Sequence, residues 1–177
     1  MIPLFLGLTA ANLLLLLSVF SLGLFVVDHT GSVTGVHSLH LLLGVAAGLW
    51  CALTHVGVFM YHMATARWLQ AATDKVGAAP TRWAMPALTR KRKVFAVVMT
   101  AIVLTMLTMF AGAGADPTAG RWWPGEVHLM MGVLAIAMNV SAAISEYRHI
   151  RAQGAMMDDA LAVLNAPRQT DGRVQPQ

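Results

Sequence analysis

The chain has 177 residues, 57% hydrophobic and 11% charged, with a formal net charge of +4. A water-soluble domain of this length carries about 25% charged residues, so the composition speaks against a soluble enzyme or binding module and for a membrane protein. A single cysteine, Cys51, offers neither a disulfide framework nor a thiolate metal site.

Four apolar stretches follow one another along the chain, at about 5–27, 38–61, 94–112 and 127–145. Each is near the ~20 residues that cross a bilayer as a helix, and helices satisfy their own backbone groups in lipid. The strand alternation of a membrane barrel is absent. No Lys or Arg precedes the first stretch, and 20-FSLGLFVVDHTGS-32 contains no small-x-small cleavage site, so it reads as a retained span rather than a signal peptide. The turn-like loop 28-DHTGSVTGV-36 makes the first two spans an antiparallel hairpin.

The middle loop, about 66–93, contains Pro80 and Pro86 and ends in 90-RKRK-93. That run reads as a stop-transfer anchor beside anionic headgroups, or else as a dock for a soluble partner. The third span leaves through 111-AGAGADPTAG-120, followed by 122-WWPGE-126. Trp122 and Trp123 suit the headgroup level, Pro124 the first turn of a helix, and Glu126 its positive end. After about 150 the chain turns polar: 156–166 is expected to be a short interfacial helix and 167–177 disordered. The organisation expected is a four-span bundle over 1–150 and a polar cytoplasmic tail over 151–177.

Of twelve Lys and Arg, seven lie in the middle loop (Arg67, Lys75, Arg82, Arg90, Lys91, Arg92, Lys93) and four at or after the end of the last span (Arg148, Arg151, Arg168, Arg173); Arg121 alone lies in an outward loop. The positive-inside rule places both termini in the cytoplasm. The basic charge therefore follows from topology and calls for no nucleic-acid partner. The fold class expected is an all-α integral membrane four-helix bundle.

The second span, 37-HSLHLLLGVAAGLWCALTHVGVFMYH-62, holds four histidines. At about 100° per residue, His37, His40, His55 and His62 fall within about 60° of arc, with Gly44, Ala47, Gly48 and Cys51 between them. The small stripe lets another helix or a flat cofactor approach. The fourth span echoes it: 128-HLMMG-132 matches 40-HLLLG-44. Both spans run from outside to inside, so His40 and His128 should lie at one depth, and two imidazoles at one depth can clamp a haem iron with a glycine beside each for the porphyrin edge. Histidines inside a membrane are expensive and mark functional sites.

With these motifs the chain resembles the bacterial four-helix membrane b-type cytochromes, including the cytochrome-b subunits that link dehydrogenases or hydrogenases to quinone. The resemblance implies electron transfer through haem b on His40 and His128, with Gly44, Gly48 and Gly132 near the ring and His37 at its edge. It implies work as a subunit in the bacterial inner membrane, with partner chains and quinone exchanging electrons. His55, about 22 Å below His40, would serve a second haem, but the family pattern then expects a ligand where Ala142 and Ala143 stand. His62 with His149, or a methionine such as Met99 or Met106, is the substitute; Met130 and Met131 are not expected to be ligands.

Plainer readings stand beside these. His55 is otherwise a buried histidine paired with a hydroxyl or Glu146. Glu146 is otherwise a snorkelling carboxylate beside Arg148 or Arg151. His62 could serve a quinone or proton path, and His29 and His149 sit at interfaces. Rival functions are bacteriochlorophyll binding through single histidines, and a cofactor-free scaffold or metal path.

Overall fold

The computed structural model describes residues 2–27 and 31–166; His29 and the expected disordered segment 167–177 lie outside them. Four helices make up the fold: α1 (Ile2–Gly23), α2 (His37–Val76), α3 (Ala84–Ala115) and α4 (Gly125–Asn165). All four are long and apolar enough to cross a membrane. Leu14, Leu42, Leu49, Leu53, Phe110 and Met130 are more than half exposed on the outer faces. Faces this apolar are unsuited to water and suited to lipid, so the chain is a multi-pass membrane protein with the expected all-α class.

Two helices outrun their apolar stretches. α2 and α4 have 40 and 41 residues and are about 60 Å long, roughly twice the ~30 Å of hydrocarbon. The middle connection is therefore only 77–83, and 156–166 is not a separate interfacial helix but the last turns of α4. Gly77 ends α2 in the left-handed conformation (φ 66°). Its N–H bonds to the Asp74 carbonyl, and that of Ala78 to the Thr73 carbonyl, the double closure that favours glycine here. Pro124 stands one residue before α4 in extended conformation, not in its first turn as expected; Glu126 does occupy that turn.

Beyond the membrane the extensions close their own core. Trp83, 1% exposed, packs with Leu69, Ala72, Ala87 and Ala160. Its indole N–H donates to Asp159 at 2.6 Å, and Arg82 donates to the same carboxylate. These bonds hold the Asp159 carboxyl below its ordinary pKa.

Within the membrane α2 and α4 pack side by side, and α1 and α3 flank them without touching each other. This places the seam between α2 and α4, the two helices that carry the histidine motifs, at the centre of the bundle.

Candidate functional site: a histidine seam between α2 and α4

At the end expected to face outward, the outer end, His40 and His128 come together, ring centroids 6.0 Å apart and planes at 78°. Each imidazole is anchored on the flanking helix. His40 donates from Nδ1 to the Val19 carbonyl of α1 at 3.0 Å, and His128 from Nδ1 to the Thr108 carbonyl of α3 at 3.1 Å. A carbonyl only accepts, so both rings hold their proton on Nδ1 and keep Nε2 as the lone-pair nitrogen, the arrangement that orients a metal-binding histidine. A glycine four residues past each carbonyl seats the ring. A Cβ on Gly23 would lie 3.0 Å from His40 Cε1, and one on Gly112 would lie 2.9 Å from His128 Cε1. The two hairpins, α1–α2 and α3–α4, thus repeat one device.

The glycines singled out from sequence do other work. Gly44 faces Val19 and Gly132 faces Phe20, both from α1, while Gly48 takes Met109 and Met106 from α3. They let side chains of flanking helices close on the seam. Met99 faces outward, 40% exposed.

His37 lies above the pair, its Nε2 3.2 Å from Asp116 Oδ1 in the loop after α3. Asp116 also accepts from the backbone and hydroxyl of Thr118, at 2.8 and 2.7 Å. Burial opposes its charge, but these bonds and His37 outweigh it and hold the Asp116 carboxyl below its ordinary 3.8. Trp123 covers the same end: its ring lies where a Cβ on Gly114 would be, and its indole N–H donates to the Ala111 carbonyl at 2.8 Å. The glycine-rich exit of α3 thus seats His128 at Gly112 and Trp123 at Gly114. Trp122 stays exposed, as an interfacial tryptophan would.

At mid-depth a polar knot joins all four helices around Asn139. Its amide donates to Thr105 of α3 at 3.1 Å and to the Ala135 carbonyl at 2.9 Å, which fixes its oxygen as an acceptor. That oxygen receives Asn12 of α1 at 2.9 Å, His55 Nε2 at 3.0 Å and the Cys51 thiol at 3.4 Å. On its other side His55 Nδ1 lies 2.7 Å from Glu146 Oε1. Because His55 Nε2 must donate, one further proton is shared between Nδ1 and Oε1. The pair is net neutral whichever atom holds it, which makes it tolerable in lipid. Both ring nitrogens of His55 are therefore engaged, and Ala142 is fully buried where the family would place a ligand. His55 is thus buried and paired with Glu146.

At the inner end His62 meets His149, centroids 6.5 Å apart and planes at 82°. His149 donates from Nδ1 to the Ser145 carbonyl of its own helix at 2.6 Å. His62 is fully buried and neither ring nitrogen has a hydrogen-bond partner. Gln153 braces this end, donating to Thr65 of α2 and accepting from Arg90 of α3, both at 3.0 Å.

Asn12, Val19, Gly23, Thr108 and Gly112 escaped the sequence reading. Asn12 carried a signal, a lone amide within an apolar span; the carbonyl–glycine seats carried none, since their acceptors are backbone. No group of three or more His, Cys, Asp or Glu gathers as a metal site among the described residues. The arrangement offers pairs of imidazoles instead. Two imidazoles on opposite sides of one metal ion, at a metal–nitrogen distance of about 2 Å, have centroids roughly 6 Å apart, and the outer donors fit that spacing. No family model, curated protein or solved structure matches this chain.

Proposed function

We propose that the chain is an electron-transfer subunit of a bacterial inner-membrane complex that holds b-type haem between His40 and His128, in the manner of the four-helix b-type cytochromes. The carrying observation is the outer pair: two imidazoles 6.0 Å apart on different helices, each fixed through Nδ1 on a flanking carbonyl with Nε2 left for a metal. Val19 and Phe20 fill the spaces over Gly44 and Gly132, so the macrocycle would seat by displacing side chains of α1. That helix is held lightly, burying only Phe5, Asn12 and Leu16. The inner pair, His62 and His149, would hold a second haem. Such a group supplies one-electron chemistry with no open coordination position, its potential set by the ligands and their surroundings. The positive-inside distribution puts both termini and the inner pair on the cytoplasmic side, with electrons exchanged with partner subunits and quinone.

A reduced-minus-oxidised absorption spectrum of the purified chain, with pyridine haemochrome quantification, tests this. A sharp b-type α-band is expected, lost or shifted in His128→Ala while His62→Ala leaves the outer signal. A wild-type protein without haem refutes the reading.

A second reading, a cofactor-free proton or metal-ion path, draws on the His55–Glu146 pair, which sets a titratable station between the two histidine pairs. A colourless protein whose vesicles pass protons or divalent metal, and lose this in Glu146→Gln, would decide for it. A far-red pigment band would instead indicate bacteriochlorophyll.

A further inference from the structure

A cleft of about 560 Å³ opens between α3 and α4 on the basic side of the bundle, lined by Arg90, Lys93, Arg148 and His149 over an apolar wall that includes Met85 and Pro86. No carboxylate lines it among the described residues. We propose that this cleft is a binding site for the phosphate headgroup of an anionic phospholipid.

Depth comes first. Val94 begins the apolar run of α3, and the apolar run of α4 ends at about 145. Lys93 and Arg148 therefore stand where hydrocarbon gives way to headgroups, and the cleft runs from that level outward. Basic pockets between helices on this side suit phosphate headgroups.

Organisation comes second. Arg90 is tied by its guanidinium to Gln153 Oε1 at 3.0 Å and to Met156 Sδ at 3.7 Å, so its charge is in place before a ligand arrives, which lowers the cost of binding.

Selectivity comes third. Lys91 and Arg92 belong to the same basic run but do not line the cleft. A diffuse attraction between the run and an anionic surface uses all four cations alike; a site uses Arg90 and Lys93 with Arg148 from α4. This distinction makes the proposal testable.

The experiment titrates the detergent-purified full chain with phosphatidylglycerol, phosphatidylcholine or inorganic phosphate and reads bound lipid by native mass spectrometry beside the thermal unfolding midpoint. Phosphatidylglycerol should bind and raise the midpoint, phosphatidylcholine should do neither, and millimolar phosphate should not displace the lipid. Lys93→Gln/Arg148→Gln should weaken phosphatidylglycerol about tenfold or more, while the charge-matched Lys91→Gln/Arg92→Gln stays within about twofold. If the first double variant unfolds without lipid, Arg148→Gln alone, at an exposed position, should still weaken binding several-fold. Equal binding of the two lipids, equal loss in the two double variants, or phosphate competing as well as lipid would each overturn the assignment, the last by making the ligand a soluble anion. None of these readouts depends on haem, so the cleft and the electron-transfer reading can fail separately.

Discussion

The α1–α2 and α3–α4 hairpins are alike at their outer ends and unlike at mid-depth. At that end each presents a histidine three residues into its long helix, seated on a carbonyl and a glycine of its shorter neighbour: Val19 and Gly23 for His40, Thr108 and Gly112 for His128. Deeper in, the position eleven residues past each histidine is Cys51 in one hairpin and Asn139 in the other, and the position eighteen past is Val58 against Glu146. The two halves build a symmetric pair where a ligand held from both sides would sit. They diverge into a base on α2 and an acid on α4 where a proton can be shared. A site that needs two identical groups keeps the repeat; one that needs two different groups breaks it.

The largest effect should come from breaking the asymmetric level. Glu146→Leu leaves His55 Nδ1 buried without its partner, and removal of one member of a buried pair costs about 3–5 kcal/mol. His55→Leu/Glu146→Leu should recover most of that loss in thermal or denaturant unfolding in detergent. A double variant as unstable as the single one would mean that the pair is not the source of the cost.

The symmetric level sharpens the comparison at smaller cost. Gly23→Ala and Gly112→Ala each drive a methyl to about the same distance from a histidine ring, 3.0 and 2.9 Å. Each should destabilise by about 1–3 kcal/mol, the usual range for overpacking, and by similar amounts. Gly44→Ala, whose nearest neighbour is at 3.9 Å, should be close to neutral. Unequal losses for Gly23 and Gly112 in the same unfolding assay would break the proposed equivalence of the hairpins.

The smallest effect is that of pH on the strap between His37 and Asp116. The folded carboxyl lies below its ordinary 3.8. Its contribution is therefore fully present above that value and is lost as pH falls through the lowered folded value, as the carboxylate takes up its proton. Asp116→Asn should remove this acid-side dependence and leave behaviour near neutrality little changed; an unfolding midpoint measured against pH in wild type and variant checks it.

Much of the architecture was legible in the sequence because hydropathy reports contact with hydrocarbon: four apolar runs gave four spans, and the shared His-x3-Gly motif gave the depth match of His40 and His128. Helix length was less legible. The apolar run of α2 stops near Tyr61, but the backbone continues to Val76 because Thr65, Leu69 and Ala72 pack on Trp83 and Gln153, contacts that no local window contains. The nearly equal spacing of His40 to His62 and His128 to His149 already suggested the inner pair, which the structure brings to 6.5 Å. For His55 the residues offered both a ligand's role and a pairing with Glu146 without choosing between them, because Glu146 and Asn139 come near it only when α4 packs on α2. The roles of Gly23 and Gly112 were hidden for another reason, since what they serve is a ring resting on backbone.

The core around Trp83 bears on the order in which the chain is made. Trp83 belongs to the second connection, yet its cover, Asp159 and Ala160, comes almost eighty residues later. Until the ribosome has delivered α4, the α2–α3 hairpin stands in the membrane with Trp83 lacking its α4 cover and its indole N–H unpaired. Closure of that core therefore marks the moment at which the last span has been inserted and docked. A nascent chain stalled before position 159 displays an apolar surface that chaperones and quality-control proteases recognise, whereas the finished chain conceals it.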